Sequence, residues 1–160
     1  MEKVIRSTLR YLFQEYLKAP NINYAINGIV AQYDADPLAV STYLLEKKWI
    51  RERWIFADNL ISCRITVAGI EEIDSNFIHT RLRQLIGSLV EAGGTKGLSE
   101  ILQNRLDEYV INLDIVFQLE NLGMVKVEQW QGNILVMLTD SGKEFFLKNY
   151  PSLFSLMSLA

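Results

Sequence analysis

Two stretches of this chain carry the same punctuation. Residues 45–73 read LEKKWIRERWIFADNLISCRITVAGIEEI, and residues 119–146 read LENLGMVKVEQWQGNILVMLTDSGKEFF. Each passes from a helix end into two strand-like runs around a polar turn, then into a new helix at a threonine. The turns are Ala57-Asp58-Asn59 and Gln131-Gly132-Asn133. A shift of 73 residues lays Ile5, Leu9, Leu12, Phe13, Tyr16 and Leu17 on Ile78, Leu82, Leu85, Ile86, Leu89 and Val90, and Thr66 and Gly69 on Thr139 and Gly142. A shift of 74 lays Leu45-Glu46 and Ile50 on Leu119-Glu120 and Met124. Agreement in type, order and spacing marks an internal duplication. Three helices and a two-stranded ribbon per unit suffice to enclose one small core.

The helical spacing in residues 2–18 predicts a first helix that ends at Ala19-Pro20, since a residue before proline is disfavoured in the helical region. A second helix is expected over 22–33, with Ile22, Ile26, Ile29 and Val30 inward. Asp36-Pro37 predicts an N-cap followed by proline at the first helical position. The third helix then runs to about Lys48 and buries Leu38, Tyr43 or Thr42, Leu44 and Leu45. Residues 49–56 and 60–66 are expected as strands. In the later copy the second helix falls at 96–106. The join, residues 66–92, has neither proline nor a Gly/Ser tract, and Asp74-Ser75 can cap a helix within it; a fixed connection follows. The expected fold class is α+β: mainly α with small β-hairpins, in two domains, 1–73 and 74–150, followed by an apolar arm, 151–160.

Leu119, Glu120, Gly123, Met124 and Val125, the polar tip at 131–133, and Leu138-Thr139 with Gly142 together resemble bacterial winged-helix (winged helix-turn-helix) regulators. Gly123 suits the left-handed end of a helix, Thr139 caps the next one, and Gly142 permits close backbone packing. The first copy departs by placing Trp49 at the helix-ending glycine and Ile65 at the leucine. In architecture the tandem arrangement is similar to chromosome segregation and condensation protein B. The resemblance implies three helices and a β-wing per unit and identifies a fold, not an activity.

A DNA-reading winged helix places its third helix in the major groove and its wing on phosphate, which demands cations and polar side chains. Between residues 47 and 64, Lys47, Lys48, Arg51, Arg53 and Arg64 outnumber Glu52 and Asp58, and Ser41 and Thr42 on the preceding helix are candidate groove contacts. Between 105 and 133, Arg105 and Lys126 face Asp107, Glu108, Asp114, Glu120 and Glu128, so the second unit is a poor groove reader. The net charge of -3 supplies no overall field to gather DNA. The expectation is a DNA-associated transcriptional regulator that contacts duplex DNA mainly through the first unit.

The alternative is an interaction adaptor that uses winged helices as protein-binding surfaces. Trp54 and Trp130 on the two wings either meet a partner or cover the flank of their own cores. In the arm, Leu153, Phe154, Leu156 and Met157 are apolar enough to fold back or to dock on a second subunit, and Trp130 with these four makes the candidate dimer or partner surface. A homodimer is expected.

One cysteine, Cys63, and one histidine, His79, leave no zinc-ligand set and no disulfide framework. No Ser/His/Asp or Cys/His arrangement, phosphate loop or paired carboxylates emerges, so no enzyme, metal or cofactor is expected. Cys63 beside Arg64 raises a weaker reading, a redox- or ligand-responsive repressor. Without a signal peptide or an apolar run of membrane-spanning length, a cytoplasmic location is expected.

Overall fold

The computed structural model describes residues 1–102 and 106–151, without the side chains of 106–108. The chain divides into two compact units, Met1–Ile78 and His79–Ala160. Among the described residues, eight helices and six strands make a mixed α+β structure whose strands form two three-stranded antiparallel sheets.

The first unit opens with α1 (Glu2–Lys18), which buries Ile5, Leu9, Leu12, Phe13 and Tyr16 as its spacing predicts. Val4 and Thr8 widen the buried stripe, and Leu17 is half exposed instead of inward. Thr8 is tolerated inside because its hydroxyl donates to the Val4 carbonyl at 2.7 Å. Where one helix was expected over 22–33, the chain forms β1 (Tyr24–Ala25) and a short α2 (Asn27–Ala31). Tyr24 pairs with Cys63 and Ala25 with Ser62, a non-local ladder that local periodicity does not reveal. Ile26 and Val30 are fully buried, but Ile22 is exposed.

Asp36 caps α3 (Pro37–Glu46), its carboxylate accepting from the Leu38 and Ala39 amides at 3.2 and 3.3 Å. That helix buries Val40, Ser41 and Leu44, one i/i+4 stripe, and not the Leu38 and Leu45 expected inside. β2 (Ile50–Ile55) and β3 (Ile61–Ile65) follow as a hairpin with β3 central, in the order β1-β3-β2. α4 (Val67–Ile73) ends at Asp74, whose carboxylate accepts from the Phe77 amide at 3.1 Å at the start of α5 (Ser75–Glu91). Within the first unit, Phe77 stands edge-on to Phe13 at 5.0 Å between ring centres.

The second unit continues through α5, β4 (Thr95–Gly97), α6 (Leu98–Ile101), α7 (Leu106–Asn121), β5 (Val125–Trp130), β6 (Asn133–Leu138) and α8 (Asp140–Asn149). Its sheet order, β4-β6-β5, reproduces that of the first. The described part of the helix expected over 96–106 is again a short strand and one helical turn. At the far end, Tyr150 closes α8 against α5, its hydroxyl 3.4 Å from His79 Nδ1 and its ring under the Arg83 guanidinium.

The hairpin-to-helix joint is the same in both units. Thr66 Oγ1 accepts from the Gly69 amide at 3.1 Å and donates to the Lys48 carbonyl at 2.7 Å. Thr139 Oγ1 accepts from the Gly142 amide at 2.9 Å and donates to the Gly123 carbonyl at 2.6 Å. Lys48, at φ 60°, therefore occupies the left-handed place of Gly123, at φ 74°, and Trp49 stands where Met124 does. The offset here is 75 residues, correcting both the 74-residue alignment and the pairing of Trp49 with Gly123. The first hairpin is two residues longer for two visible reasons. Its ladder shifts register between Arg51 and Trp54, with Glu52 at φ 53°. Its tip also spends three residues, 57–59, where Gln131-Gly132 close the other as a two-residue turn with both φ positive.

Candidate interaction surface

The structure places the seven predicted DNA-contacting side chains unequally. Ser41 is fully buried; its hydroxyl donates to the Leu38 carbonyl at 3.0 Å. Arg53 reaches back from β2 to α3, its Nη1 donating to Thr42 Oγ1 at 2.8 Å and to Ser41 Oγ at 3.3 Å. Arg64 is only 13% exposed. Its Nε and Nη2 donate to the Pro20 carbonyl at 3.1 and 2.8 Å, and its Nη1 pairs with Glu52 at 3.1 Å. These groups bind the hairpin to α3 and to the turn after α1. Arg51 is half-buried on β2. Lys47 and Lys48 stay exposed just beyond α3, Lys47 lying 5.6 Å above the Tyr43 ring.

What the α3–hairpin face does present is apolar. Leu38 and Leu45, seven residues apart on α3, are 46% and 38% exposed. On the hairpin, Ile55 is exposed on the side facing α3, while Trp54, exposed by 61%, Phe56 and Leu60 alternate with it onto the opposite side of the ribbon. A cleft of about 230 Å3 runs between the start of α3 and the hairpin tip, lined among others by Asn27, Asp36, Leu38, Ile55 and Asn59. The second unit repeats the arrangement. Tyr109 on α7 and Ile134 on β6 line a cleft of about 510 Å3, with Glu100 at its rim, and Trp130 is 62% exposed on the adjoining strand. Phe117 on α7 is also exposed. Of the predicted partner residues, Trp130 is exposed on the outer side of its hairpin; Leu153, Phe154, Leu156 and Met157 lie outside the described residues.

Sequence reasoning missed Leu38, Leu45, Ile55 and Tyr109 as surface groups. The available signal was surplus: α3 carries more large apolar side chains than one packed face can hold. Exposed apolar residues that cluster, in contrast to scattered ones, mark contact surfaces.

Charge follows the same division. Residues 1–78 hold nine Lys/Arg against ten Asp/Glu, and residues 79–160 seven against nine, so neither unit is basic. Cys63 is completely buried, and burial pushes its thiol up to about 12 although the Arg53 guanidinium pulls the other way. At neutral pH it is a packed thiol with negligible thiolate. Among the described residues, no group of three His, Cys, Asp or Glu is placed to hold a metal ion, and no helix is long and apolar enough to cross a membrane. The chain matches no family model and none of the curated proteins with which it was compared.

Proposed function

We propose that each unit is a winged helix and that the chain is a non-enzymatic interaction adaptor whose third-helix-and-wing faces bind protein. The observation that carries this reading is the exposure of Leu38, Leu45 and Ile55 beside the α3 cleft and of Tyr109 and Ile134 beside the α7 cleft, together with Trp54, Phe56 and Trp130 exposed on the outer sides of the two hairpins. Large aromatic and aliphatic groups of this kind form the desolvated centres of protein interfaces. A phosphate-binding face requires unengaged cations there, and Arg53 and Arg64 are spent inside the fold.

A second reading keeps one specific support. Lys47 and Lys48 are exposed at the end of α3, beside the half-buried Arg51, where a regulator of duplex DNA needs positive charge. One paired experiment separates the two. Anisotropy of a labelled random-sequence duplex is followed against salt while, in parallel, the full chain is used to isolate a stable complex whose captured component then recovers the chain in return. The adaptor reading expects weak duplex binding and a complex lost with Trp130→Glu but kept with the double variant Lys47→Glu/Lys48→Glu. Tight duplex binding, with log K falling by about 0.9 per phosphate contacted for each decade of salt and abolished by the lysine reversals, would replace it with the DNA reading.

A further inference from the structure

The same kind of cleft recurs in both units, between the third helix and the hairpin tip. In the first, the exposed Leu38 and Ile55 flank the buried Ile61, the partner of Ile55 across the ladder. In the second, the exposed Tyr109 and Ile134 flank the buried Leu102. Each cleft also holds a tip asparagine, Asn59 or Asn133. Among the described residues that line it, each has a single charged side chain, Asp36 in the first and Glu100 in the second. Both are carboxylates.

We infer that both clefts take the same ligand, a peptide segment that puts one large apolar side chain into the cleft and an adjoining lysine or arginine against the carboxylate at its rim. The inference rests on the adaptor reading and names the partner's chemistry: a basic segment with apolar anchors, engaged by each unit independently. The first cleft, about 230 Å3, is smaller than the roughly 300 Å3 at which sites for whole small molecules begin, so it fits one side chain of a larger partner. The second, about 510 Å3, admits a bulkier anchor of the same class. The tip asparagines offer amide donors and acceptors to the incoming main chain.

The rim charge decides the sign of the partner. α3 separates Asp36 from Lys47 by about 16 Å at ~1.5 Å per residue, roughly twice the ~8 Å screening length at physiological salt. Arg53, on the same side of β2 as Ile55, has its guanidinium bonded to Thr42 and Ser41. Lys96, beside Gly97 of the second cleft, donates to Ser88 Oγ at 2.6 Å. Asp36 keeps acceptor capacity beyond its two cap bonds, since a carboxylate offers about four lone-pair sites. An acidic segment would instead set like charges together at both rims.

The test follows amide chemical shifts of the isotopically labelled full chain during titration with three capped pentapeptides. One has leucine between two lysine pairs, one leucine between two glutamate pairs, and one glycine between two lysine pairs. The first should shift amides around both clefts and saturate with a Kd of about 1 mM, and the other two should bind at least about tenfold more weakly. Asp36→Asn, which keeps a good N-cap, should weaken binding about fivefold at the first cleft alone, and Glu100→Gln should do the same at the second alone. No shift at either cleft up to ~20 mM peptide, equal binding of the glutamate or glycine peptide, or charge variants without effect overturns the inference. Clefts that bind none of the peptides in a chain that still forms its Trp130-dependent complex overturn it while leaving the adaptor reading standing. Clefts that bind as expected in a chain that forms no such complex do the reverse.

Discussion

Gly142 presses against the Met124 carbonyl so closely that a Cβ built on it would lie 1.9 Å from that oxygen, and Gly69 meets the Trp49 carbonyl in the same way at 2.3 Å. The obstruction is backbone in both units, so a side chain cannot be accommodated by a rotamer change. The Thr-x-x-Gly spacing is thus a mechanical device: the threonine ties the new helix to the end of the third one, and the glycine lets the two backbones touch.

Gly142→Ala and Gly69→Ala should each destabilise their own unit by about 2–4 kcal/mol through forced backbone displacement. Gly28 offers the control, since it lies in α2 with nothing within 4 Å of its would-be Cβ. Gly28→Ala should leave stability unchanged or raise it by about 0.5–1 kcal/mol. Urea unfolding midpoints of the three variants check this.

Lys48→Gly should stabilise the first unit by about 1 kcal/mol. Lys48 is held at φ 60°, a region costly for a residue with a Cβ, and glycine already occupies the equivalent place at position 123. The comparison variant Lys48→Ala keeps the strain and should show no gain. Thermal melts monitored by circular dichroism distinguish them.

Arg64→Ala should cost about 2–3 kcal/mol, whereas Lys47→Ala should cost less than about 0.5 kcal/mol. Removing the Arg64 guanidinium strips the Pro20 carbonyl of two donors and leaves Glu52 without its ion-pair partner, while Lys47 is exposed. Equal costs in chemical denaturation would contradict this assignment of roles.

The Cys63 thiol sets an alkaline limit. Its folded value of about 12 lies above the ordinary 9.0 because burial disfavours the thiolate. Between pH 9 and 12 the unfolded chain releases this proton and the folded chain keeps it, so stability falls as pH rises, by up to about 1.4 kcal/mol per pH unit. Cys63→Ala should flatten that slope; Tyr11 and Tyr24, also raised chiefly by burial, leave a smaller residue of the same sign. A thiol reagent at pH 8 should react with Cys63 only after denaturant is added.

The features read correctly from the chain were those whose physical cause is local. The α1 stripe, the Asp36 cap, the hairpin turns at 57–59 and 131–133, and the Thr-x-x-Gly joints each depend on residues within a few positions of one another. The register of the repeat was read one residue short at the end of the third helix. Lysine at 48 hides the left-handed conformation that glycine advertises at 123, and the extra residue of the Glu52 bulge has no compositional mark.

By itself, then, the sequence determined the long helices, the hairpins, the caps and the duplication, because hydrogen bonding and periodicity within one helix or hairpin leave their pattern in adjacent residues. Only the tertiary structure decided the third strand of each sheet, since Tyr24 and Ala25 become a strand solely through pairing with Cys63 and Ser62 far along the chain. It also decided which side chains remain available for recognition. Arg53 and Arg64 bond to groups brought near by folding, and the face α3 turns inward is chosen by Val40 and Leu44 meeting the core, which leaves Leu38 and Leu45 outside.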